Sequence, residues 1–150
     1  MTPAEMAGAP PMLTTRVLLT EDRLAQDFLI ALERRHLPEK YFYWFPTSVR
    51  AWLNLCSDGA YRNYVRSHGL VQAHAAAIVA HLPEGDITVV SLGAGQGDKD
   101  LLVLEQIRAS GRRPHYVPVD ACQSLLEMAC AAAGQAGLDC QGVKADVADA

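Results

Sequence analysis

The residues best suited to chemistry lie in one run, Leu92-Gly93-Ala94-Gly95-Gln96-Gly97-Asp98-Lys99, and in two later acids, Asp120 and Asp146. Glycines at alternate positions let the chain turn tightly and bring backbone N–H groups against a ligand. An acid directly after the next strand is placed to accept hydrogen bonds from ribose hydroxyls. A second acid, after a third strand, would lie near an adenine amino group. Strand, glycines, helix, strand and acid in that order point to an adenosine-containing ligand. The competing roles are structural: Asp120 as cap of the helix through Leu125, and Asp146 as a solvated loop residue. Dinucleotide sites use G-x-G-x-x-G and rest a pyrophosphate on the helix N-terminus. Here the spacing is G-x-G-x-G, and a pyrophosphate would meet Asp98 and Asp100. A ligand with an amino-acid tail and a sulfonium cation, without phosphate, suits these residues better.

The elements that must position this run are legible around it. ITVVSL, residues 87–92, is β-branched and almost wholly apolar, as expected for a strand covered on both faces of a parallel sheet. A helix is predicted over 98–109, stopped by Ser110-Gly111, and a second strand over HYVPV, where Pro118 cannot donate to a ladder. A helix over 125–133, broken by Gly134 and Gly137, then leads to a third strand, CQGVK. The fold class is α/β: a Rossmann-like, doubly wound parallel sheet, with its first three strands present, preceded by a helical N-terminal segment.

Residues 1–17, rich in Pro, Ala, Gly and Thr, read as a flexible N-terminal arm. Residues 18–82 read as a helical preamble packed on the sheet. Thr20 with Glu21 and Asp22 opens its first helix, which runs to about His36 before Pro38. Val49, Trp52, Leu53 and Cys56 mark a second helix, and Leu70 to Leu82 a third. Between them the run Tyr41-Phe42-Tyr43-Trp44-Phe45 reads either as a plug joining preamble to sheet or as a source of phenols facing a ligand. Residues 83–150 form the ligand-binding domain, expected to be incomplete at its C-terminal side. In the doubly wound strand order ITVVSL is central, so three strands alone would leave it an exposed apolar edge. Self-association, a partner chain or a longer protein would complete the sheet there.

Length and charge narrow the function further. The chain has 150 residues, half of them hydrophobic, and a formal net charge of −4 with no basic stripe. One globular domain is expected, and nucleic acid is not a predicted partner. With neither a signal-peptide pattern nor an 18-residue apolar stretch, no membrane partner is predicted. Cys56, Cys122, Cys130 and Cys140 form no C-x-x-C pair and read as small buried thiols in a cytoplasmic protein. His74 and His81 share a helix side without an acidic or Cys partner at ligand spacing, so no metal site is predicted.

LGAGQGDK, then YVPVD, then KADV resembles the class I S-adenosylmethionine-dependent methyltransferase superfamily. LPEKYFYW added to the first two is most similar to the histidine-specific methyltransferase family. The resemblance implies S-adenosyl-L-methionine as cofactor and methyl transfer to a small amino-acid-like acceptor. It implies that Gly93, Ala94, Gly95, Gly97 and Lys99 hold the donor's amino-acid end, Asp120 its ribose, and Asp146 with Val147 its adenine. Tyr43 and Tyr64 would belong to the acceptor side. Ser91 stands where many members carry an acid, and Trp44 where the narrower family usually has Asp. Methyl transfer demands little beyond holding a nucleophile in line with the sulfonium methyl in a dry site, so no catalytic side chain is assigned. Two other readings stand beside it: an NAD(P)-linked oxidoreductase, and a non-catalytic Rossmann-like assembly module that uses its open strand.

Overall fold

A computed structural model describes residues 13–149. Strand β1 (Leu13–Val17) is followed by helices α1 (Glu21–Glu33), α2 (Pro46–Ser57) and α3 (Arg62–Ala80), with a 3-10 turn over Glu39–Tyr43 between α1 and α2. The second part alternates β2 (Ile87–Leu92), α4 (Asp98–Ala109), β3 (Pro114–Asp120), α5 (Gln123–Gln135) and β4 (Asp139–Lys144). The four strands form one parallel sheet in the order β1-β4-β3-β2. This is an α/β, Rossmann-like architecture with a helical N-terminal part.

The sheet has one strand more than the sequence predicts. Leu13–Val17, within the expected arm, pairs in parallel with Cys140–Lys144; residues 1–12 of that arm lie outside the described residues. LTTRV offers only two apolar residues next to a Pro- and Gly-rich stretch, so composition hides a strand whose partner lies more than 120 residues away. Two helix boundaries also differ. Helix α3 begins at Arg62 rather than Leu70, because Gly69, with open space around it, is carried inside the helix. Helix α5 likewise runs through Gly134 to Gln135.

Local chemistry sets the remaining boundaries. The Thr20 hydroxyl accepts from Arg23 N at 3.3 Å, capping α1, and Pro46 occupies the first turn of α2. Pro118 sits in the central strand β3 opposite Ser91, yet the β3–β4 ladder skips Val117 and Pro118 and resumes at Val119. The missing proline donor falls in that gap.

Helices α4 and α5 cover the sheet face that carries Val89, Tyr116 and Cys140. Leu104, Leu126, Ala129, Cys130, Ala133 and Leu138 complete this core. On the other face β2 alternates instead of being covered on both sides: Val90 and Leu92 are 56% and 64% exposed. Strand β2 pairs with β3 alone among the described residues, leaving the expected edge open. A second cluster (Leu19, Leu24, Ala31 and Tyr41, with Phe28, Trp44 and Ala121) holds the preamble to the end of β3. The aromatic run therefore divides. Tyr41 and Trp44 pack inward as the plug, whereas Tyr43 joins Trp52 beside Val49, Cys122 and Leu125. All four cysteines are buried and unpaired.

Candidate functional site

The sheet ends generate the site. Strand β2 runs into Gly93, Gly95 and Gly97, with φ of +67°, +57° and +78°, a region that favours glycine. Gly93 N and Ala94 N both donate to Val119 O, at 2.9 and 3.1 Å, folding the loop over the end of β3. The glycines then differ in task. A Cβ at Gly93 or Gly95 would meet nothing within 4 Å, so both leave backbone open to a ligand. At Gly97 a Cβ would sit 3.0 Å from Ala129 Cβ and 3.1 Å from the Tyr116 hydroxyl, so this glycine lets α4 close against α5.

Asp120 ends β3 and ties the loop in place. Its Oδ2 accepts from Gly95 N and its Oδ1 from Cys122 N, both at 2.8 Å. It is therefore an anchor ahead of α5 rather than the cap of that helix, whose N-cap residue is Cys122. A carboxylate offers about four acceptor positions, and these two bonds leave capacity facing the cleft.

Asp146, just past β4, is a partly buried ion-pair partner rather than a solvated loop residue. Its Oδ2 takes a hydrogen bond from Lys40 Nζ at 2.5 Å, and its Oδ1 one from Ala148 N at 3.0 Å. Both side chains of the ion pair are 13% exposed. Burial opposes ionisation of Asp146, but Lys40 and the Ala148 N–H outweigh it and hold the carboxyl below its ordinary value.

These strand ends enclose a cleft of about 290 Å³ floored by Gly93, Gly95, Asp120, Ala145, Asp146 and Val147. Glu39, Lys40 and Tyr43 of the 3-10 turn and Trp52 of α2 close it, with Ala121 and Leu125 at its side. A polar annex of about 200 Å³ adjoins it across Trp52, Gly93 and Gly95, and is lined by Ser91, Ala94, Gln96, Asp98, Lys99, Asp100 and Tyr64. A larger cavity of about 590 Å³ lies between α1 and the 3-10 turn, but no strand end or glycine reaches it. Convergence of three strand ends on the smaller cleft outweighs size, because ligands of open parallel sheets bind outside the strand carboxyl ends.

Tyr64 of α3 fastens the annex. Its hydroxyl donates to Asp98 and accepts from Gln96 Nε2 at 2.9 Å, while Lys99 Nζ lies 5.5 Å from its ring centroid. Burial, then the Asp98 carboxylate, pushes the phenol above its ordinary value, so it stays protonated as a donor. The Tyr116 hydroxyl similarly donates to Asp100 at 2.6 Å.

Of the residues singled out in the sequence, Gly93, Gly95, Asp120, Asp146, Val147 and Tyr43 line the cleft, and Ala94, Lys99 and Tyr64 line the annex. Gly97 lines neither and is a packing position. Sequence reasoning missed Lys40, Trp52 and Gln96. Lys40 belongs to the LPEKYFYW segment, but nothing local to that segment signals its role, which is to close on an acid 106 residues away.

Cleft and annex together present five carboxylates (Glu39, Asp98, Asp100, Asp120 and Asp146) against Lys40 and Lys99. That balance repels phosphate and suits a cationic ligand. No curated protein sequence gives a significant match. The family model described as histidine-specific methyltransferase, SAM-dependent, matches residues 24–150, covering the preamble, the glycine loop and both acids. The chain belongs to the S-adenosylmethionine-dependent histidine-specific methyltransferase family, an enzyme family whose cofactor is S-adenosyl-L-methionine.

Proposed function

We propose that the chain transfers a methyl group from S-adenosyl-L-methionine to a small, amino-acid-like amine, with the donor spanning cleft and annex. The observation that carries this reading is the meeting of the open glycine backbone, Asp120 and Asp146 in one acid-rich cleft at the strand ends. Asp120 has acceptor capacity left for ribose hydroxyls, and Asp146 with Val147 stands where an adenine edge would lie. Gly93, Ala94, Gly95 and Lys99 border the annex, where an amino-acid tail finds acids, one ammonium and glycine backbone that no side chain covers, although the Gly93, Ala94 and Gly95 N–H groups already donate within the protein. Tyr43 and Tyr64, with Trp52 between them, form the wall on the acceptor side. Bound there, the cofactor supplies an electrophilic sulfonium methyl. The chain's own contribution is to hold an amine in line with that methyl and to exclude water with Tyr43, Trp52 and Tyr64. No side chain of the cleft is assigned as a general base.

The NAD(P)-linked and non-catalytic readings have no support in the family match, and the acids of the annex stand against a pyrophosphate. Titration calorimetry with S-adenosylmethionine, S-adenosylhomocysteine and NADH tests this. Binding of the first two, lost in Asp120→Ala, is expected. Binding of NADH alone, or a donor affinity that Asp120→Ala leaves intact, would overturn the assignment. Release of S-adenosylhomocysteine across a panel of amino acids and small amines then identifies the acceptor.

Two further readings belong to the whole chain. Four buried, unpaired thiols fit a reducing compartment, and the cytoplasm is the proposed location. The open edge of β2 is the proposed site at which a second copy or a partner completes the sheet.

A further inference from the structure

We propose that Lys40 is a stand-in for the ligand at Asp146, occupying the acceptor that the donor's exocyclic amino group takes when it binds. This rests on the reading of Asp146 as the adenine-facing acid.

The geometry is that of an exchange site. Lys40 Nζ donates to Asp146 Oδ2 at 2.5 Å, inside the cleft that also holds Gly93, Gly95 and Asp120. Oδ1 accepts from Ala148 N, and Lys40 lines the cleft beside Asp146, so a ligand N–H that reaches Oδ2 from the cleft meets the ammonium already there. The exchange conserves hydrogen bonding at the carboxylate, because one N–H donor replaces another.

The displaced ammonium has a place to go. Lys40 also lines the 590 Å³ cavity beyond the 3-10 turn, so its side chain stands in the partition between the two spaces; that cavity offers the ammonium room rather than a free carboxylate, because its Asp27 already accepts from Arg23 Nε at 3.1 Å. The turn itself stays fastened. At its other end Trp44 Nε1 donates to Glu21 Oε2 at 2.8 Å, and Glu21 takes the ammonium of buried Lys144. Exchange at Asp146 thus releases the cleft end of the 39–43 segment and leaves its far end pinned. Tyr43, next to Trp44 at the pinned end and packed edge-on against Trp52, keeps its place on the acceptor wall.

The test uses the full chain and S-adenosylhomocysteine titrations of three variants. Lys40→Met removes the competitor and is expected to tighten binding, about threefold to tenfold. Lys40→Arg supplies a forked cation that grips a carboxylate with two bonds and is expected to weaken it by a similar factor. Opposite signs are the signature. If Lys40→Met weakens binding, or both variants shift it the same way, Lys40 merely orients Asp146 and the stand-in idea is wrong. If Lys40→Met fails to fold, the sign for Lys40→Arg still decides. Asp146→Asn separates the underlying reading: an unchanged affinity removes Asp146 from the ligand site altogether. A large loss there, with no opposite response at Lys40, overturns only the exchange.

Discussion

Gly97 and Gly85 both have positive φ, +78° and +96°, but only Gly97 has neighbours that a methyl group would strike. Gly97→Ala therefore combines backbone strain with overpacking and is expected to cost about 2–4 kcal/mol. Gly85→Ala meets strain alone, about 1 kcal/mol; urea unfolding of the two variants separates the contributions. The Lys144–Glu21 pair gives a second asymmetry. Lys144 is 3% exposed at its side chain and Glu21 60%. Glu21→Ala strands a buried ammonium and is expected to cost about 2 kcal/mol, whereas Lys144→Met leaves a carboxylate that water can solvate and costs less than about 1 kcal/mol. The pH dependence follows from the same groups. Lys144 and then Trp44 hold Glu21 below its ordinary 4.5, and Asp146 lies below its ordinary 3.8 once Lys40 outweighs burial. Depressed carboxyl groups contribute fully above the unfolded-chain values and lose that contribution as pH falls through them. Melting curves should be flat down to about pH 5 and fall below it, with a shallower fall in Asp146→Asn. At this scale the sequence marked the acids and the open glycines by type and order. Lys40 stayed hidden because its role depends on a contact closed only by the tertiary fold.

Element by element, the alternating part from β2 to β4 is readable because β2 and β3 are short apolar runs ending in glycine or an acid, β4 follows the glycines that close α5, and α4 matches its predicted bounds. What was not readable were features decided by a distant partner. Strand β1 has two polar threonines and an arginine among its five residues and acquires strand geometry by pairing with β4. Helix α3 extends past the start at Leu70 that its sequence predicts, since the local cost of Gly69 says nothing about the ring contacts that hold the preceding turns. There Tyr61 and Tyr64 stack at 6.4 Å and both pack edge-on to Trp52. Those contacts join α2, α3 and the glycine loop into one unit. Tyr64→Phe keeps the rings but deletes the hydroxyl shared by Asp98 and Gln96. It is expected to cost about 1–2 kcal/mol in stability and to weaken S-adenosylhomocysteine binding more than Tyr61→Phe, whose ring lines neither cavity.

For the whole molecule, the uncovered sheet face sets behaviour in solution. Parallel sheets are normally covered on both faces, yet Val90 and Leu92 are exposed beside Val117, Val119 and Val143 of the neighbouring strands. If a second copy completes the sheet at β2, sedimentation shows concentration-dependent association that Val90→Lys abolishes without lowering the melting temperature. A monomer at all concentrations would instead leave completion of the sheet to a different chain or to further residues of a longer protein. The described residues include no helix long and apolar enough to cross a membrane, and exposed apolar side chains lie on the helices, Leu29, Leu55 and Leu70 among them, as well as on this sheet face.

The pairing of β1 with β4 carries a consequence for the order of events during synthesis. Leu13 opposes Cys140 and Val17 opposes Lys144, so the first strand described is matched by the last one described. Until residue 144 is free, β1 has no ladder, and Glu21 cannot neutralise Lys144. The fasteners that close the cleft, Lys144 to Glu21 and Lys40 to Asp146, form at that same late moment. A nascent chain shorter than this should remain sensitive to protease in its preamble, and the lengthening that completes β4 should protect sheet and site in a single step.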